Sequence, residues 1–473
     1  MKTTSALAIV ASILSTTEAL AVKPRQDGPR VIGLQTERRR VSNPLLSDRI
    51  RRRGSITASL DNEETLYFIN LTVGTPPSTV RLHIDTGSSD LWVNTPGSQL
   101  CEQRSLPCQF GGTYAANRSS TYEYVSSVFN ISYVDGSGAS GDYVSDTVTI
   151  GGQKMDRLQF GIGYSSTNPQ GILGIGYTIN EVQVNRAGRA PYNNMPAQMV
   201  ADGLIQSNAY SLWLNDLDAN TGSILFGGID QDRFTGPLQT LPIQSEQGAF
   251  AEFLITLTGV SVGGTTVADR SNTALAVLLD SGSSLTYLPD TIVQSIYNEL
   301  GVQFDADNGV GYVPCSLAQN TTTFKFTFSE PAIEVDMNEM VLDLITSSGR
   351  RATFQNGVTA CMFGIAPVGQ GTSVLGDTFL RSAYVVYDLA NNEISLAQTR
   401  FNATTSNVKE IGTGANSVPS ATKVTGAVAA TQGISGPSIV GGIGANSAAG
   451  RGMMVPGMAA AGVAVVMAAF MGF

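Results

Sequence analysis

Histidine is almost absent from this chain: 473 residues hold one, His83. A zinc hydrolase wants two or three His ligands, and a Ser-His-Asp scheme would depend on His83 alone. Cysteine is scarce as well, and four residues are too few for a disulfide-built scaffold of this size. Charged residues make up 14%, against roughly 25% in an ordinary soluble protein. Basic excess is missing too. The formal charge is −10 and the pI near 4.7, which argues against a nucleic-acid partner. Sustained helical periodicity is rare, with Thr291 to Leu300 as one short candidate. What is present is enough chain for one large or two medium domains and an excess of glycine, 51 residues.

The two ends read as addresses. Residues 1–21 have a charged start at Lys2, an apolar run from Ala6 to Leu14 and a small-x-small site at Ala19–Ala21, the layout of a secretory signal. Secretion would permit disulfides. Residues 22–53 carry ten Lys/Arg against Asp27, Glu37 and Asp48, and end in Arg51-Arg52-Arg53, suited to proteolytic removal of a prosegment. Residues 1–53 hold 11 basic and 4 acidic residues, so the remainder holds 17 against 34 and sits near −17. That contrast leads us to expect the prosegment to lie on an acidic surface; a basic arm with no docking role is the alternative. Residues 403–446, mostly Ala, Gly, Ser, Thr and Val, read as a disordered stalk. Asn446-Ser447-Ala448, a nine-residue spacer and 16 apolar residues ending the chain match a GPI-anchor signal over 447–473, with Asn446 as the attachment residue. A retained transmembrane anchor is the other reading.

Between residues 60 and 400 short β-type runs alternate with Gly, Pro, Asn and Asp, so the fold is expected to be mostly β. The two halves repeat. Asp85-Thr86-Gly87-Ser88-Ser89 after an apolar strand matches Asp280-Ser281-Gly282-Ser283-Ser284. Each is followed by a second motif, Gly171–Gly176 and Ser373–Asp377, with 89 residues from Asp85 to Gly174 and 96 from Asp280 to Gly376. Two motifs in one order at similar spacing imply two related lobes.

A carboxylate at the end of a strand, followed by hydroxyl-Gly-Ser, is rigidly held, and nearby hydroxyls and backbone N–H groups can satisfy its oxygens. Two such loops facing each other would bring Asp85 and Asp280 together. Like charges at close range share a proton. One carboxylate can then activate a water while the protonated one polarises a carbonyl.

These residues resemble the pepsin-like aspartic proteases over roughly 60–400. The resemblance implies a bilobal fold of two related β lobes, 54–240 and 241–402, with the cleft between them. It implies Asp85 and Asp280 as the catalytic dyad, supported by Thr86, Gly87, Ser88, Ser281, Gly282 and Ser283. Trp92 is expected behind a flap formed by Ile131–Gly138, and Tyr133 is expected to close over substrate, although Val134 stands where the family often has Gly. Asp135 would reach a basic P1 side chain, or else satisfy a local turn. Sequence alone allows three cysteine pairings; the family pattern favours Cys101–Cys108 and Cys315–Cys361. His83 reads as structural. Sequons stand at Asn70, Asn117, Asn130, Asn320 and Asn402.

The expected protein is therefore a secreted, prosegment-activated aspartic endopeptidase, similar to the fungal yapsin-like branch. It is expected to be monomeric and GPI-anchored at the outer cell surface, to use no metal or organic cofactor, and to act on proteins or peptides at acid pH, near Lys or Arg. A catalytically silent binding or inhibitor protein on the same fold is the alternative from another class. A two-carboxylate glycosidase is a third, without support from the paired motifs.

Overall fold

The structure is a computed structural model and describes residues 30–41, 64–133, 136–219, 221–271, 273–345 and 350–434. The expectations for 1–21, 447–473, Asn446, Val134 and Asp135 lie outside the described residues.

Strands dominate. A 14-stranded sheet runs from Ala421–Lys423 at one edge to Glu123–Ser132 at the other, and the second half of the chain adds one five-stranded and two four-stranded sheets. The chain is mostly β and bilobal, as expected. Glu64–Val73 and Ser78–Asp85 form a strand-turn-strand unit, paired antiparallel from Phe68 opposite His83 to Val73 opposite Ser78. Ala383–Asp388 and Glu393–Thr399 form another, turning through Asn392 at φ 55°. The short helix spans Asp290–Leu300, buries Ile292, Val293, Ile296 and Tyr297, and stops at Gly301, whose φ of 66° suits glycine.

The duplication is visible in the register. Ser78–Asp85 runs parallel to Gly171–Gly174, with Asp85 opposite Gly174, and Leu275–Leu279 runs parallel to Ser373–Leu375, with Leu279 opposite Leu375. The strand after each acidic motif, Leu91–Asn94 or Thr286–Leu288, then packs antiparallel to that partner. Each Asp is thus delivered by a strand held along its edges by its own lobe. Between the lobes, Arg381 is fully buried against Glu339, whose other oxygen accepts Leu217 N at 3.0 Å. An aromatic cluster of Tyr177, Tyr210, Phe253 and Tyr387 fills the region where the halves meet, with ring centroids 4.7 Å apart for Phe253 and Tyr387.

One expectation is corrected. The stalk does not begin at residue 403, because 403–434 is folded onto the body. Ile411 and Val418 are buried with Trp213, Phe234, Leu238 and Tyr384, and Ala421–Lys423 extends the large sheet. Backbone hydrogen bonding, which needs few apolar side chains, holds a segment that composition marks as disordered. The described part of the basic segment is built into the large sheet. Ile32–Val41 is an internal strand between Thr221–Phe226 and Glu64–Val73. The segment's side-chain contacts have both polarities: Arg30 lies 3.8 Å from Glu410, while Glu37 pairs with Arg81 at 3.2 Å and accepts from Asn70.

Both disulfides form as the family pattern favoured, Cys101–Cys108 and Cys315–Cys361. Among the described residues, no helix is long and apolar enough to cross a membrane.

Candidate active site

Asp85 and Asp280 follow directly from their strands and are held in mirrored fashion. Asp85 Oδ1 accepts from Gly87 N at 2.9 Å and its Oδ2 from Ser88 Oγ at 2.5 Å. Asp280 Oδ1 accepts from Gly282 N at 2.8 Å and its Oδ2 from Ser283 Oγ at 2.6 Å. The loops then lock across the lobe boundary. Thr86 Oγ1 donates to Leu279 O (2.9 Å) and accepts from Ser281 N (3.0 Å); Ser281 Oγ donates to Ile84 O (3.0 Å) and accepts from Thr86 N (3.2 Å). Four buried hydrogen bonds therefore fix one carboxylate relative to the other.

Glycine is required here by closeness. A methyl group on Gly282 would overlap Asp85 Oδ1 and come within 2.9 Å of Asp280 Oδ1, while one on Gly87 would lie 2.7 Å from Asp280 Oδ1. The two carboxyl groups consequently face each other, and both are buried, at 4% and 8% exposure. Gly174 and Gly376 serve the backs of the loops, since a side chain at Gly376 would strike Ser283 O and Leu285 O.

The hairpin of Glu123–Ser132 and Gly138–Ile150 supplies the flap. Tyr133 N donates to Ser137 O at 2.8 Å, Gly136 takes a φ of 77°, and the Tyr133 hydroxyl accepts from Trp92 Nε1 at 2.7 Å. Trp92 is fully buried, so the structure brings the expected Trp92 and Tyr133 together. His83 is buried against Phe68, with ring centroids 5.8 Å apart. Asn70, Asn117, Asn130, Asn320 and Asn402 are all exposed.

Sequence reasoning missed a group of buried carboxyls behind the flap. Asp90 Oδ1 accepts from the hydroxyls of Tyr143 (2.6 Å) and Tyr192 (3.0 Å), and its Oδ2 from Val182 N (2.9 Å). Glu181 is fully buried next to it; its Oε2 accepts from Tyr192 N at 2.8 Å, and its Oε1 has no hydrogen-bond partner among the described residues. Burial, with the nearby Asp90 charge adding, pushes the Glu181 carboxyl up to about 10, and burial likewise raises Asp90. The Asp90 signal was in the sequence, five residues past Asp85, but nothing there revealed its partners. A surface depression of about 720 Å³, walled by Arg81, Phe110 and Gln170 among others, lies apart from the Asp pair and includes no flap residue.

A sequence model described as "Eukaryotic aspartyl protease" matches residues 66–399. This chain belongs to that family. Among its aspartyl protease relatives, "Probable aspartic-type endopeptidase opsB" of Aspergillus oryzae is 57% identical over 410 residues, covering 85% of this chain and 83% of the relative. "Aspartic proteinase 3" of Saccharomyces cerevisiae is 32% identical over 443 residues, 78% of this chain and 75% of the relative. The crystal structure of aspartic proteinase from Irpex lacteus superimposes with a TM-score of 0.59 at 22% identity, over 79% of this chain and all of that one. It supports the aspartyl protease fold.

Proposed function

We propose that this chain, an aspartic-type endopeptidase, hydrolyses peptide bonds with Asp85 and Asp280 as its catalytic pair. The observation that carries this is the mirrored, mutually locked arrangement of two buried carboxyls around Gly87 and Gly282. One carboxylate takes a proton from a water as its oxygen bonds to the scissile carbonyl carbon, and the other gives its proton to the carbonyl oxygen. The tetrahedral diol then collapses: the C–N bond breaks, the leaving nitrogen takes up a proton from the pair, and the carboxylic acid forms. Activity belongs to acid pH, where the pair keeps one shared proton. Because both acidic motifs are whole, a catalytically silent binding protein has no observation in its favour.

The finer reading is a secreted, glycosylated, monomeric enzyme of the yapsin-like branch, freed by cutting after Arg51–Arg53 and GPI-anchored at the outer cell surface through Asn446. Its support is the sequence of both ends, the five sequons and the similarity to fungal relatives. Folding of 403–434 shortens the remaining linker to 435–446. Preference for Lys or Arg rests on Asp135 and the acidic body. Cleavage of a peptide library at pH 4, with and without pepstatin, tests it. Pepstatin-sensitive cuts beside Lys or Arg, lost in Asp135→Asn, are expected. Sensitive cuts between large apolar residues would remove the basic preference, and no cutting by folded protein would remove the peptidase reading.

A further inference from the structure

The family match ends at residue 399, yet the described chain continues to 434 and stays bound to the body. Its first part is fixed to the segment 227–233. Asp230 accepts from Asn407 N and Ser406 Oγ, both at 2.7 Å. Arg233, 4.1 Å over the Trp213 ring, donates to Ala403 O. Val408–Glu410 then pairs with Gly228–Asp230, and Ala421–Lys423 pairs with Phe234–Pro242 to become the edge of the large sheet. The last stretch reaches the strand that delivers Asp280. Val428 N donates to Ser329 Oγ (3.0 Å), Ala430 N to Gln244 Oε1 (2.9 Å) and Thr431 N to Ala274 O (2.8 Å), while Gln432 O accepts from Ala276 N (2.8 Å).

That end point has a mechanical consequence. Along one edge, Leu275–Leu279 is paired throughout with Leu254–Leu257 and the residues beside it. On the other edge, Ser373–Leu375 reaches back only to Val277. Gln432 pairs with Leu275 in the space left over. The strand before Asp280 is thus gripped on both edges over its full length only while residues 430–433 are seated. Gly433 fits closely there: its φ is 78°, and an added methyl would lie 2.9 Å from Ala276 O and 3.0 Å from a Leu275 methyl.

We propose that residues 403–434 are a strap running from the 227–233 segment to the second lobe, and that Ala430–Gly433 positions Asp280 by holding its strand in register. The proposal rests on the Asp pair performing the chemistry, where small misplacements are costly.

Gly433→Val in the full chain tests it. Unseating the strap end should lower kcat roughly tenfold with little change in KM. The two limbs of the pH–activity profile should move toward each other, because a wider Asp85–Asp280 separation weakens their coupling. Gln244→Leu removes the acceptor of Ala430 N and should act in the same direction; Gln244→Glu keeps an acceptor and should recover activity. If folded Gly433→Val and Gln244→Leu both keep the parent kcat and limb separation, even with lower melting temperatures, the positioning role is overturned. Should Gly433→Val not fold, the Gln244 variants decide alone. Full activity in Asp280→Asn would instead strike the reading of the Asp pair, a separate failure.

Discussion

Replacing Glu181 by glutamine should make this protein markedly less sensitive to neutral pH. Glu181 is fully buried, with the Asp90 carboxyl and the Tyr143 and Tyr192 hydroxyls in its electrostatic surroundings. Its carboxyl is pushed from an ordinary value of 4.5 up to about 10. The folded state therefore keeps a proton that the unfolded chain releases above pH 4.5. Stability is complete below that value and falls as pH rises, at about 1.36 kcal/mol per unit. Between pH 4.5 and 7 the loss is roughly 3 kcal/mol, a large share of the ~5–15 kcal/mol that holds a domain together. A glutamine accepts from Tyr192 N as Glu181 does and cannot ionise. Urea unfolding from pH 4 to 7.5, in an Asp85→Asn background to prevent self-digestion, reads the effect. The parent should lose stability steadily across this range, and Glu181→Gln should recover most of that loss. Parallel stability curves for the two would refute the assignment to Glu181.

Gly282→Ala places a methyl group on Asp85 Oδ1 and should abolish peptide hydrolysis, with kcat down by roughly 10² or more; an alanine variant with parent kcat would mean the carboxyls do not approach as described. Trp92→Phe removes the donor to the Tyr133 hydroxyl and should raise KM or lower kcat through a poorly placed flap, with the buried aromatic packing largely retained. Steady-state kinetics on one peptide would show it, and unchanged constants would detach that hydrogen bond from substrate binding.

Much of the site could be read from residues alone, because the chemistry repeats. Asp-Thr/Ser-Gly-Ser at 85 and 280, each followed by its apolar-Gly partner, encodes a geometry that local sequence largely dictates: a strand, a tight loop and a hydroxyl three residues on. The Asp290–Leu300 helix was legible from its local apolar period. What escaped were features set by distant residues. Asp90 and Glu181 stand 91 positions apart, and a carboxyl buried among tyrosines looks in sequence like any surface acid. The strap from 403 to 434 escaped because its hold is mainly backbone hydrogen bonding, with Ile411 and Val418 as its buried apolar anchors. Ile32–Val41 belongs to the basic segment 22–53, yet the alternation of Ile32, Leu34 and Thr36 suits an internal strand.

The most direct test of the central claim is the kcat/KM of folded Asp85→Asn and Asp280→Asn for one peptide at pH 4. Each amide removes the ionisable proton from its side of the pair while keeping its size. The account predicts that each variant falls by roughly 10²–10⁴, with a melting temperature near the parent's. Parent-level hydrolysis by either variant would contradict it.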